Sequence, residues 1–458
     1  MKKKLFSMLL CAALGVSLLA GCGGKQGSDK QTDSGNNNAS REEQSEDKEN
    51  SNETVTEEEI TITVGGWAWL DEHVPVIQRE FEKKYPGIKI DFEMMQQEDY
   101  VNKLKVNLAA GTSWDIMMLE AGSLLNAVKN YCLPLNEYVE ADWGSDWKNN
   151  YNETVISEVV GEDGVVYGLP EAVGLAGMLM YDTTKLEKYN MEIPVTYEEL
   201  KAYCDALRAD GDLPVVIGAK DGWISTDIFL VIANDIAPGK VRQADAGEIP
   251  WTDPDIVEAF SKWKQMFDDG IFQDGCLGVP QYPIASELFW KSNKGGALTE
   301  GDWSIGGFLS EDLKETANIH NYIVACMPDI NGDGKTAGPL ASTGTVYAIN
   351  KDIAPEKLEA AWDLIRWYIG EEGQVVMNSQ EVGMVSTPAF QGITIDRTSD
   401  CANYTNCMNE IPKLAEQVSG PRALNNVDAK AALEEVLQEL GAGMSPQDAA
   451  AKVQSAME

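Results

Sequence analysis

From residue 60 onward, polar and apolar positions follow two periods in alternation. Ile60-Thr61-Ile62-Thr63-Val64 places an apolar side chain at every second residue and runs into Gly65-Gly66, which predicts a strand. Val74, Ile77, Phe81 and Tyr85 then recur at helical spacing, and Pro86-Gly87 predicts the stop. Ile88-Lys89-Ile90-Asp91-Phe92 returns to the strand period. Leu104 and Leu108 mark a second helix ending at Gly111, and Trp114 to Leu119 reads as a buried strand. Strand, helix, strand, helix, strand is the pattern of a doubly wound α/β lobe, whose ligands sit beyond the carboxyl ends of its strands. Those ends fall at Gly65-Gly66-Trp67-Ala68-Trp69 and at Glu120-Ala121-Gly122.

The chain before residue 60 follows different rules. Lys2, Lys3 and Lys4 precede an apolar stretch, Leu5 to Ala20, that is short for a membrane span and closes on Leu19-Ala20-Gly21-Cys22. This resembles the lipobox of bacterial lipoproteins. The resemblance implies a signal peptide over 1–21 and a diacylglycerol on Cys22, and two acyl chains suffice for stable anchoring at the outer face of the cell membrane. From Gly23 to Glu59 there is almost nothing apolar to bury, so residues 22–59 are expected to form a disordered acidic tether of roughly 30–36 Å.

Residues 60–458 exceed what one core serves and are expected to form two lobes. The net charge of −38 becomes three units more negative once Lys2, Lys3 and Lys4 leave with the signal. That balance excludes nucleic acid, and leaves contact with the membrane to the lipid alone, because both polyanionic surfaces recruit basic patches. Cys132, Cys204, Cys276, Cys326, Cys401 and Cys407 are scattered without metal-type spacing, and no pairing follows from their positions. With His73 and His320 the only histidines, neither a histidine-based metal site nor a Ser-His-Asp triad is expected.

Phe81-Glu82-Lys83-Lys84-Tyr85-Pro86-Gly87-Ile88 resembles the opening of the extracellular solute-binding proteins of ABC importers, sugar-binding family 1. The resemblance continues through Gly111-Thr112-Ser113-Trp114-Asp115-Ile116, Val166-Tyr167-Gly168-Leu169-Pro170, Met180-Tyr181-Asp182 and Pro194-Val195-Thr196-Tyr197. Gly301-Asp302-Trp303, Thr343-Gly344-Thr345-Val346, Ala360-Ala361-Trp362 and Met444-Ser445-Pro446-Gln447 follow in the family's order. It implies two doubly wound lobes joined by a hinge, the type II periplasmic-binding-protein plan, with the ligand in the cleft between them. It also implies a monomer without cofactor that captures a sugar or oligosaccharide and hands it to the transmembrane subunits of an ABC permease. Crossings between lobes are expected near Pro170–Met178, Cys326–Asp329 and Gly370–Gln374. The first lobe would then hold about 60–175 and 325–371, and the second about 176–324 and 372–458.

A sugar presents C–H faces and a rim of hydroxyls, so its site combines aromatic planes with carboxylates and arginine. Trp67 and Trp69 stand at a strand end, where strand packing gives a bulky ring no reason to be. Asp71 follows them and is equally suited to capping a helix. Trp303 resembles the stacking tryptophan of the family's Gly-x-Trp loop, with Asp302 beside it, and Trp223 occupies a corresponding loop of the second lobe. Glu171 at the first crossing, Glu120 at a central strand end and Arg422 before the last helices complete the expected ligand-binding set. Trp263, Trp362 and Trp367 lie at core positions of amphipathic helices and read as packing.

Asp329-Ile330-Asn331-Gly332-Asp333-Gly334 matches the first half of an EF-hand loop, but Leu340 stands where the bidentate Glu belongs, and the pattern equally suits a turn. No catalytic residue and no metal ligand is assigned. Two alternatives remain: the same transport role for a polyamine, peptide or other cation, and a surface-tethered glycoside hydrolase, which needs two opposed carboxylates.

Overall fold

The computed structural model describes residues 59–69, 72–161, 163–311 and 313–458. Cys22, the signal, nearly all of the tether and Asp71 lie outside these residues. The strands, in chain order, are β1 (Ile60–Gly66), β2 (Ile88–Met94), β3 (Ile116–Leu119), β4 (Leu169–Pro170), β5 (Ala172–Ala176) and β6 (Met178–Asp182). They continue as β7 (Leu213–Val216), β8 (Gly295–Glu300), β9 (Tyr322–Ala325), β10 (Leu340–Thr343), β11 (Val346–Ile349), β12 (Thr387–Pro388) and β13 (Gly420–Pro421).

The first lobe is built on a sheet of order β2-β1-β3-β11-β4, in which β1 runs parallel to β2 and β3 while β11 runs antiparallel to β3 and β4. The helices Val74–Lys84 and Gln97–Ala110 follow β1 and β2 as the periodicity predicts. Gly111 ends the second of these at φ 69°, the left-handed conformation that glycine adopts without a Cβ penalty. Ile62, Ile77, Phe81, Leu104 and Met117 are fully buried in this lobe's core, joined by Trp362 and Trp367 from the helix Leu358–Ile369.

The second lobe is built on a sheet of order β7-β8-β6-β9. Its centre is the helix Gly222–Ile236, buried without interruption from Ile224 to Asn234. A helix this apolar around its circumference must be covered on all sides. The helices Pro254–Asp268 and Val427–Gly441 pack on it, and Pro446–Ala456 packs on those two.

A third sheet of order β12-β5-β10-β13 connects the lobes. Through β4, β5 and β6 the chain passes from the first sheet to the connecting sheet to the second within fourteen residues. The step from β5 to β6 is made by Gly177 at φ 73°, where a Cβ would come within 2.5 Å of Val231 Cγ2.

The later crossings differ from the expected positions. Residues 326–339 remain in the second lobe, because Asp235 of the central helix accepts the Ile330 and Asn331 amides and Met327, Ile330 and Ala337 are buried in that core. The return is β10. The helix Glu371–Met377 likewise packs back on the first lobe, burying Met377 there while Gln374 Nε2 donates to the Tyr368 carbonyl. That crossing comes after β12, since Ala389 is still buried in the first core and the Gln391 amide donates to the Asn150 carbonyl.

Trp263 is fully buried and its Nε1 donates to the Leu437 carbonyl at 2.9 Å, tying two helices across the second lobe. Trp263→Ala should destabilise the protein by about 3–5 kcal/mol through the cavity and the orphaned carbonyl, read as a lowered urea midpoint.

Candidate functional site

A cleft of about 450 Å3, its open mouth included, lies where both lobes meet the connecting sheet. Glu120 and Ala121 follow β3, and Glu158 follows the short helix Glu153–Ser157; these give the first lobe's wall. Trp223, Thr226 and Asp227 in the first two turns of the central helix, with Lys430 from Val427–Gly441, give the opposite wall. Thr343 and Arg422 come from the ends of β10 and β13.

Ion pairs tie these walls together. Lys430 Nζ stands 2.8 Å from Glu120 Oε2 and 3.5 Å from Glu434 Oε1. Arg422 Nε donates to Asp227 Oδ1 at 2.8 Å, and its Nη1 is 3.9 Å from Glu120 Oε1, which also accepts Gln97 Nε2 at 2.8 Å. Burial alone would raise the Glu120 carboxyl, but the Lys430 and Arg422 charges outweigh it and hold the group at about 2. Backbone contacts join the lobes beside it: Ser123 N donates to the Leu424 carbonyl at 2.7 Å and Asn126 Nδ2 to that of Asn425 at 3.1 Å. Glu72 also reaches across, accepting from Ser310 Oγ at 3.2 Å.

The aromatic part is a nest around Arg422. Its guanidinium carbon is 5.7 Å from the Trp223 ring centre and 5.4 Å from that of Trp303, within cation–π range of both. Trp223 lies nearly parallel to Tyr282 at 6.2 Å and 6.1 Å from Trp303. Trp303 is fixed from behind, since its Nε1 donates to Glu300 Oε2 at 2.8 Å, and Tyr282 Oη and Gln281 Nε2 both donate to Glu300 Oε1 at 2.8 Å. Burial lifts Glu300 to about 7.

Of the residues singled out from sequence, Glu120, Trp223 and Arg422 line the cleft and Trp303 adjoins it. The others lie elsewhere. Glu171 is buried beside the connecting sheet, accepting from Tyr347 Oη at 2.9 Å and the Thr345 amide at 3.1 Å, and burial raises it to about 7. Asp302 is buried against the same sheet, accepting from Ser386 Oγ at 3.3 Å, and burial raises it to about 7 as well. Both carboxyls are taken up by hinge hydrogen bonds rather than turned to the cleft. Trp69 is buried in the first core edge-on to Tyr368 at 5.4 Å, and Trp67 packs half-buried on Tyr100 at 5.3 Å. Asp71 is outside the described residues.

Reasoning from sequence missed Glu158, Thr226, Asp227, Thr343 and Lys430. Ser225-Thr226-Asp227 is a polar triplet inside an otherwise apolar helix, a signal that was available. Glu158 and Lys430 carry no such mark. Three oxygens of this cleft are buried without a hydrogen-bond partner: Glu158 Oε1, Thr226 Oγ1 and Asp227 Oδ2.

The calcium-like loop satisfies itself: both Asp329 oxygens accept amides, from Gly332 and Gly334 at 2.6 Å each, and Asp333 pairs with Lys335. Among the described residues no group of three or more His, Cys, Asp or Glu side chains is placed to hold a metal ion.

Two hinged α/β lobes facing each other across a polar, aromatic-edged cleft are the plan of a solute-capturing protein. Residues 77–390 match the bacterial extracellular solute-binding protein family, and the chain belongs to it. An uncharacterized ABC transporter extracellular-binding protein of Pyrococcus horikoshii is 28% identical over 331 residues, covering 68% of this chain and 67% of that one. The galactooligosaccharide-binding protein of Bacillus subtilis is 24% identical over 372 residues, covering 78% and 76%. Among solved structures, a chitin oligosaccharide binding protein superposes with a TM-score of 0.71 at 21% identity, covering 87% of this chain and 98% of that one, and shares the type II periplasmic-binding fold. This protein is thus an extracytoplasmic member of a family of binding proteins.

Because Glu120 is held below the 4.5 of the free group, the stability it contributes is complete above about pH 4.5 and is lost as pH falls toward 2. Glu120→Gln should lower the urea midpoint at pH 7, and the gap from the unaltered protein should narrow steadily between pH 4.5 and 3.

Proposed function

We propose that the protein captures a sugar or oligosaccharide in this cleft and delivers it to an ABC permease, without chemistry of its own. The observation that carries the reading is the pairing of aromatic faces, Trp223 and Trp303, with unpartnered buried oxygens on Glu158, Thr226 and Asp227. Ring faces suit the C–H surface of a sugar and the oxygens suit its hydroxyl donors. The sugar ligands named for the Bacillus relative and for the chitin oligosaccharide binding protein support the same class. In this reading ligand favours the closed arrangement, the form a permease would recognise, and Lys430 with Arg422 brings the second lobe onto Glu120.

The ligand-contacting set under this proposal is Glu120, Trp223, Trp303 and Arg422 from the sequence, joined by Glu158, Thr226, Asp227 and Lys430. Glu171 and Asp302 act through the hinge. Cys22 carries the lipid, and the acidic segment after it spaces the domain from the membrane.

A thermal-shift survey of the mature chain against mono- and oligosaccharides, with polyamines and short peptides as controls, tests the reading. At 100 times its dissociation constant a true ligand adds about 2.7 kcal/mol of stability. Trp303→Ala and Trp223→Ala should each weaken the binding of that sugar at least about tenfold while leaving the unliganded melting temperature within a few degrees. A response to polyamines or peptides alone would overturn the sugar assignment. For the anchor, Cys22→Ser should move the protein from the membrane to the soluble fraction on cell fractionation, and unchanged membrane association would refute the lipidation.

A further inference from the structure

The charges lining the cleft do not balance. Among the lining side chains three carboxyls, Glu120, Asp227 and Glu158, face two cations, Arg422 and Lys430, and with the neighbours Glu434 and Arg242 included four carboxyls face three cations. Both cations are engaged, Lys430 by Glu120 and Glu434 and Arg422 by Asp227 with Glu120 nearby. Glu434 adds a fourth carboxyl against the same Lys430. The cleft atoms that are buried without a partner are all oxygens, and two belong to carboxyls. Asp227 is 2% exposed and Thr226 is 4% exposed, so these oxygens belong to a built surface and not to a solvated rim.

Hydroxyl donors from a neutral sugar would satisfy the lone pairs but leave the surplus negative charge in a desolvated place, which is costly. A primary ammonium supplies up to three donors and cancels the charge at once. Resting on the sugar-binding reading above, we infer that the cleft selects an amino sugar, alone or within an oligosaccharide, its ammonium received by the free oxygens of Asp227 and Glu158 and its ring lying toward Trp223.

The same arrangement couples binding to protons. Asp227 faces Arg422 from the connecting sheet, Glu120 from the end of β3, and Lys430 with Glu434 from Val427–Gly441; Glu158 faces Arg422 and Arg242. Burial raises both Asp227 and Glu158 against the pull of those cations. A proton on either carboxyl competes with the ligand's ammonium, so affinity for the amino form falls as pH falls, while a neutral sugar gains or keeps affinity.

The test is calorimetric titration of the mature chain carrying Cys22→Ser with matched triplets: glucosamine, galactosamine and their β-linked oligomers, each beside the hydroxyl and the N-acetyl counterpart. The expected result is binding of an amino member at least about tenfold tighter than both counterparts, equivalent to about 1.4 kcal/mol. That preference should collapse in Asp227→Asn and in Glu158→Gln, the second variant serving should the first disturb Arg422, and it should shrink on lowering the pH. Equal or tighter binding of a hydroxyl or N-acetyl member overturns the amino-sugar inference and leaves the sugar-binding reading standing. Failure of every member of every triplet overturns both.

Discussion

Everything about the way the two lobes meet depends on where the charge of Glu120 is compensated. Its own lobe supplies only the amide of Gln97; the cations come from Lys430 on the facing lobe and Arg422 on the connecting sheet. Such a pair is a poor source of net stability, because desolvating two ions costs about as much as their attraction returns. It is a strong source of specificity, since separating the partners without water's access would leave bare buried charge. The lobes are therefore held in one register by a link that is weak in sum and severe in violation.

The second constraint is the connecting sheet, where segments from four distant parts of the chain are hydrogen-bonded side by side. Glu171 and Asp302 are consumed here, by Thr345, Tyr347 and Ser386, and both are buried, so little water reaches the pivot. The tryptophan platform is set by similar means: Glu300 orients Trp303 from behind, so the ring presents a face without searching for it.

Local pattern made the first lobe legible. β1, the helix Val74–Lys84, β2, the helix to Gly111 and β3 all fall within a residue or two of what period and turn residues predict. Trp223 and Arg422 were marked by neighbouring glycines, although Trp223 stands in the first turn of the central helix and not in the expected loop, while Arg422 directly follows β13. What periodicity could not reveal was pairing across distance. Asp227 and Arg422 are 195 residues apart and Lys430 and Glu120 are 310 apart, and nothing local in the sequence says that they pair. Trp69 and Glu171 were misjudged for the converse reason: an aromatic or acid at a strand end can be drawn inward by partners, Tyr368 and Tyr347, contributed from nearly two hundred residues or more away. The later crossings were displaced because Asp235 and Gln374 tie neighbouring segments to one lobe past the point where turn residues suggest a switch.

The order in which the chain contributes to the cleft has a consequence for how the molecule comes into being. The carboxylates Glu120, Glu158 and Asp227 emerge early in synthesis and export, while Arg422 and Lys430, together with the helices that complete the second core, belong to the last tenth of the chain. Until those residues are in place, the acidic walls lack the two cations that join them and the central helix is covered only in part. A chain that stops short of this last tenth keeps the acidic walls and loses the cations that join them, so the two halves of the cleft are completed together and last.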